Sequence, residues 1–308
     1  MRIATNTLSQ FVLTGSQSSQ QALATLEQDI STGNDVTQAS DNPLAYEQAS
    51  QTQAALAQLN GYTNAISSAT TATSTNNSAM TSIYKLVSQA SEYATSVASD
   101  TSTSDMQTLG TQVSTLISQL TGIVNQKDAN GNYVFGGTNN QPPLDSSGAY
   151  NASANGATST TEVAPGSSVQ TGIAAGHPGT PPTDGFLYDS ASGVDVLGAL
   201  QQTLTDLNNG NASAVQGADL TALNNALNLV SSYVGSTSAN MSAVSTASTQ
   251  NQQQIASEGN QLNALTQTNL PTASVQLQQL QNQYEATLEA GSRVLGLSIL
   301  NFLGTTSS

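Results

Sequence analysis

Apolar residues recur at helical spacing over two long stretches of the chain, and glycine and proline break up the stretch between them. Residues 1–127 and 194–303 read as helix, and residues 128–193 as turns and short strands. A β segment inserted between two helical ones predicts a chain that runs out along helices and returns along helices, bringing the termini together at one end of a rod. The expected class is mainly α: an elongated antiparallel bundle or coiled coil of N- and C-terminal helices, with a small β-rich insert at its outer end.

The first helix is predicted over residues 4–31, on the stripe Ala4, Leu8, Phe11, Gly15, Ser19, Ala22, Leu26 and Ile30. Gly33 then suits a left-handed stop. Asn42-Pro43 signals a restart, with Asn42 as the cap and Pro43 in the first turn. A helix should run from there to about residue 99, although residues 67–79 are Ser/Thr/Ala-rich and need partners to stay helical. A third helix carries Met106, Leu109, Val113, Leu116, Leu120 and Val124. Asn130-Gly131 before Tyr133-Val134-Phe135 is a hairpin signal, and short strands are expected around residues 161–163 and 168–173. A long helix follows over about 218–265, with Pro271 ending it. The last helix bears Leu277, Leu280, Tyr284, Leu288, Gly291, Leu295, Ile299 and Phe302.

The steps of both terminal stripes form an eleven-residue repeat of about 3.67 residues per turn, which keeps an apolar stripe nearly straight. Matching repeats at the two ends predict helices that pair with each other and with neighbouring copies. The candidate assembly residues are Leu8, Phe11, Leu26 and Ile30 in the first helix, and Leu280, Tyr284, Leu288, Leu295 and Phe302 in the last.

Composition narrows the function. Only 7% of the 308 residues are charged, where ordinary domains carry about 25%, and cysteine and tryptophan are absent. A net charge of −15, with Arg2, Lys85, Lys127 and Arg293 the only basic residues, suits neither nucleic acid nor anionic lipid. No apolar run approaches a membrane span, and Met1–Asn6 does not open a secretory signal, so if the protein leaves the cell another route must carry it.

Catalysis has little to work with. His177 is the single histidine and reads as an exposed loop residue, with no cysteine or acidic pair beside it. Asp128-Ala129-Asn130-Gly131-Asn132 resembles the start of a calcium loop, but Asn139 stands where the closing acid belongs, so a turn is expected. No catalytic, cofactor or metal residue is assigned, and no enzyme is expected.

Several segments together resemble the flagellin superfamily. They are Met1-Arg2-Ile3-Ala4-Thr5, Ser31-Thr32-Gly33, Ser40-Asp41-Asn42-Pro43, Gly131-Asn132-Tyr133-Val134-Phe135-Gly136-Gly137-Thr138, Tyr284-Glu285-Ala286-Thr287-Leu288 and Leu297–Leu303. The start, the turn followed by Pro142-Pro143-Leu144 and the ending resemble the hook-associated branch, which sits at the hook–filament junction. The resemblance implies a structural, extracellular subunit of the bacterial flagellum, exported by the type III route without a cleaved signal. It implies residues 1–40 and 268–308 as a terminal coiled coil of the inner tube, 41–138 and 194–267 as a helical rod, and 139–193 as an outer β-rich insert. The implied partners are further copies of the chain in a ring, a neighbouring hook-associated protein, flagellin and an export chaperone. Asp35 departs from the pattern, since the family often has a basic residue there; so does neutral Asn269–Ala273, where acids are common. The alternatives are flagellin itself, or a secreted adhesin binding through the insert. The few insert aromatics (Tyr150, Phe186 and Tyr188) disfavour sugar stacking.

Overall fold

The computed structural model describes residues 2–145, 147–154, 157–179 and 181–304, without the side chains of residues 2–6, 8, 9 and 294–304. Among the described residues seven α-helices dominate: α1 (Arg2–Thr32), α2 (Pro43–Ser96), α3 (Thr103–Val124), α4 (Val196–Asn208), a short turn α5 (Ala212–Ala214), α6 (Leu220–Thr266) and α7 (Leu270–Gly304). A π-turn, Val215–Asp219, joins α5 to α6. Two antiparallel two-stranded sheets complete the fold: β1 (Thr160–Ala164) with β2 (Ser167–Gln170), and β3 (Tyr188–Asp189) with β4 (Val194–Asp195). The fold is thus mainly α with a small β-rich region.

Local chemistry sets the boundaries. Gly33 closes α1 at φ +74°. Asn42 Oδ1 accepts from the Ala45 amide at 3.2 Å, so Asn42 caps α2 with Pro43 in its first turn. Ser102 caps α3 and Asp195 caps α4. The long return helix stops at Thr266, as expected, but Pro271 is not what ends it. Asn269 Oδ1 accepts from the Thr272 amide, so Asn269 and Pro271 open α7 as Asn42 and Pro43 open α2. The weak stretch 67–79 is helical: Thr70, Thr71, Thr73 and Thr75 each bond back to the carbonyl four residues before.

The chain forms two compact units, Met1–Gln58 with Gln254–Ser308, and Leu59–Gln253. In the second unit one apolar core joins α2, α3, α4 and α6 around Met80, Ile83, Val87, Leu120, Phe135, Phe186, Leu200 and Leu223. Antiparallel α3 and α4 approach closely at Gly110, where an added Cβ would sit 2.7 Å from Asn208 Oδ1. Phe135 meets Phe186 edge-on, with ring centres 4.9 Å apart, tying the insert to the helices.

The expected hairpin after Asn130-Gly131 is only a bridge, Lys127 to Tyr133, and Tyr133-Val134-Phe135 is not a strand. The same turn recurs. Asp128-x-x-Gly131-x-Tyr133 and Asp145-x-x-Gly148-x-Tyr150 share positive-φ glycines, an Asp carboxylate accepting from amides two and four residues on, and a closing bridge. Hairpin β1–β2 packs through Val163 and Val169 on Ile66, Ala69 and Val244, against the flank of α2 and α6. Asn76 Nδ2 donates to Thr171 O, and Tyr62 Oη to Glu162 Oε1, along the same flank.

Polar side chains link α2 to α6 at intervals. Asn251 Nδ2 donates to Leu59 O and Thr63 Oγ1; Thr237 and Ser238 donate to Asn77 Oδ1; Ser91 donates to Asn224; Gln216 Nε2 donates to Val97 O. Positions rise on α2 as they fall on α6, so one antiparallel register holds along the whole ladder.

Candidate functional site: the terminal helices

The terminal unit pairs α1 with α7, and their register can be read from two glycines. A Cβ added at Gly291 would lie 2.7 Å from Val12 Cγ1, and one added at Gly15 would lie 3.9 Å from Thr287 Cγ2. At the other end Thr268 Oγ1 donates to Asp29 O, the Thr268 amide to Gly33 O, and the Asp35 amide to Thr266 O. The helices are antiparallel. The register set by Val12 and Gly291 places Ser16 opposite Thr287, Ser19 opposite Tyr284, Leu23 opposite Leu280, Leu26 opposite Leu277 and Ile30 opposite Ala273. All twelve are at least half-buried.

This seam advances in alternate steps of four and three on both helices, which is a heptad rather than the eleven-residue repeat read from the sequence. Its end layers match large against small, valine on glycine and isoleucine on alanine, and two layers set leucine on leucine. Serines and threonine fill the layers between, where the backbones come close.

Four of the nine candidate assembly residues, Leu26, Ile30, Leu280 and Tyr284, lie on this seam. Phe11 is 79% exposed and Leu288 48% exposed, so both point away from it. Leu8, Leu295 and Phe302 lie outside the described side chains. Sequence reasoning missed Val12, Ser16, Leu23, Ala273 and Thr287. Counting back from Ile30 in steps of four and three reaches Leu23 and Val12, but Ser16, Ser19 and Thr287 give that count no hydropathy signal.

Outside the seam the terminal unit leaves large apolar side chains in solvent. Among the described residues, the exposed large hydrophobics here are Phe11, Leu13, Leu44, Tyr46, Leu270, Val275 and Leu288, against Tyr84 and Met241 alone in the larger second unit. Asp29, near the end of α1, has its carboxyl pushed up by burial and by the like charges of Asp35 and Asp41. Asp41 is held low by the Thr37 and Gln38 amides that donate to it. Arg293 pairs with Glu289 at 2.7 Å on the exposed side of α7.

Among the described residues no three His, Cys, Asp or Glu side chains converge as a metal site would require. His177 is not the exposed loop residue expected: it is 6% exposed, its Nδ1 accepts from the Gly179 amide, and its backbone pairs with Thr183. Gly179 makes this possible, since a Cβ there would lie 2.6 Å from that ring nitrogen. Tyr150 Oη donates to Asp195 Oδ1 at 2.6 Å; burial and that carboxylate push the phenol far above its usual range. Both groups are structural, joining the insert to the start of α4.

The model of the bacterial flagellin N-terminal helical region matches residues 3–140, which cover α1, α2 and α3. This segment is similar to the flagellin N-terminal helical region. The chain is 32% identical to the flagellar hook-associated protein 3 of Salmonella typhimurium over 44% of each chain. With that of Escherichia coli it is 31% identical, over 49% of this chain and 48% of the other. It therefore spans about half the length, or less, of the curated relatives it matches. Its fold is that of solved hook-associated proteins. One is hook-associated protein-3 of Legionella pneumophila, at TM-score 0.58 and 13% identity, covering 70% of this chain and 98% of that one. Another is a hook-associated protein of Vibrio parahaemolyticus, at TM-score 0.56 and 16% identity, covering 74% and 97%.

Proposed function

We propose that the chain is a structural subunit of the bacterial flagellum that joins hook to filament as a hook-associated junction protein. The observation that carries this reading is the terminal pair itself. Its within-chain seam is filled, yet Phe11, Leu13, Val275 and Leu288 stay in solvent on the same two helices. Singly exposed apolar residues are ordinary, but their concentration in one unit marks a surface made for contact. Phe11 and Leu288, with Leu8, Leu295 and Phe302, bind neighbouring subunits, while Leu26, Ile30, Leu280 and Tyr284 hold the pair that presents them. The names of the Salmonella and Escherichia relatives support the hook-associated role. The neighbours are other copies in a ring, a second hook-associated protein and flagellin, after export with a chaperone by the flagellar route. The working location is extracellular, and the chain does no chemistry of its own.

Gold-labelled electron microscopy with an antibody to residues 139–193 tests the reading. A single cluster where hook meets filament is expected. Gold along the whole filament would mean a filament subunit, and gold over the cell body would leave the adhesin. Removing residues 299–308 is expected to abolish incorporation while residues 59–253 stay folded; normal incorporation would overturn the role of the terminal helices.

A further inference from the structure

The corner between α4 and α6 holds a contact between two acids. Asp206, in the last turn of α4, is 8% exposed, and Asp219, the last residue of the π-turn, is 3% exposed. Asp206 is well supplied: its Oδ2 accepts from Gln202 Nε2 at 2.7 Å and its Oδ1 from Asn211 Nδ2 at 3.1 Å. Asp219 is not, because its Oδ2 is shut away from solvent with no donor facing it. A π-turn offsets the residues after it relative to a regular helix, and this one turns both Val215 and Asp219 inward.

Among the described residues no cation is among the charges that act on Asp219. Asp206 is the charge that acts on Asp219. The chain around the corner brings further acids, Glu92 near the end of α2, Asp100 in the loop after it and Asp105 on α3, while Lys85 of α2 is exposed. A buried carboxylate with no donor is costly, and two carboxylates in contact do not both ionise.

We propose that Asp206 and Asp219 share one proton, and that this proton locks the corner joining α4, the π-turn and α6, so that the corner is tight in mild acid and loosens towards neutral pH. Asp219, as the protonated partner, donates to Asp206, whose remaining acceptor capacity suits that role. Burial and the Asp206 charge push the Asp219 carboxyl up to about 6, from 3.8. The folded state therefore holds this proton more tightly than the unfolded chain does. The stability it contributes is complete below 3.8 and is lost as pH rises through about 6. The carboxylates held low, Asp41, Asp128, Asp145 and Asp184, act in the opposite sense and at lower pH. Asp29 is raised too, but it belongs to the terminal unit, so a local measurement separates the two.

The test is amide hydrogen exchange of residues 206–219 in the full chain at pH 5 and pH 8, corrected for intrinsic rates, with a carbon-13 titration of the Asp219 carboxyl. Protection in this segment is expected to fall roughly tenfold or more between the two pH values, and Asp219→Asn to abolish the fall. The carboxyl midpoint should lie near 6 and move down towards 3.8 in Asp206→Asn. An Asp219 midpoint below about 4.5, or an undiminished fall in Asp219→Asn, would overturn the shared proton. Should Asp219→Asn not fold, an unchanged midpoint in Asp206→Asn would overturn it equally.

Discussion

Gly291 shows how much one missing side chain decides. It is buried, and its hydrogen faces Val12, whose branched side chain has little rotamer freedom on a helix. Gly291→Ala should destabilise the α1–α7 pair by about 1–3 kcal/mol, the usual cost of overfilling a packed site. Thermal unfolding of the variant checks this, and Val12→Ala in the same chain should restore most of the loss. Loop acids make a second prediction. Asp128 has its carboxyl lowered by the amides of Asn132 and Asn130, and Asp145 and Asp184 theirs by the hydroxyls and backbone amides that donate to them. Each supports its loop above the ordinary carboxylate value, and that support is lost as pH falls below it. Proteolysis by an acid protease near pH 3 should cut residues 128–133, 145–150 and 184–190 first; cleavage elsewhere would show that these caps do little.

At the scale of the element, α2 and α6 share an apolar core and add to it a ladder of polar side chains. Asn251 is buried and gives both protons of its amide to α2. Asn251→Ala should cost about 1–2 kcal/mol, read as a shift in the denaturation midpoint at constant slope. The helices themselves were legible from the sequence because leucine, valine and methionine mark their inner faces at regular intervals. The α1–α7 register was not, since serine, threonine and glycine occupy half of its layers and leave no hydropathy trace. The end of α6 was legible to within a residue, but the role of Pro271 was not: it reads as punctuation after a helix, while the Asn269 cap places it in the first turn of the next. His177 was read as exposed because glycine and proline surround it. Those residues in fact make the tight turn that closes over the ring, with Gly179 leaving room for Nδ1.

For the molecule as a whole, the two units are unequally stocked. Among the described residues the large side chains that are fully buried, from Phe135 to Leu223, all belong to Leu59–Gln253. The terminal unit buries Ala49, Ala273, Thr52 and Thr268 and leaves its larger residues half-covered. Apolar area removed from water is the main favourable contribution to folding, so the terminal unit should melt first. Differential scanning calorimetry of the isolated chain is expected to show two transitions, the lower one shifted by Gly291→Ala and the upper by Asn251→Ala. A single transition moved equally by both would mean that α2 and α6, which contribute to each unit, fold the chain as one.

The unbroken register between α2 and α6 limits how this protein can change in length. An insertion of one turn in α2 alone would carry every later donor and acceptor past its counterpart on α6, and the same holds for a deletion. Length can therefore vary only in step on the two strands of the ladder, by equal amounts on opposite sides of the same rung. Relatives that are longer or shorter through this region should show paired gaps, one ahead of the insert and one behind it.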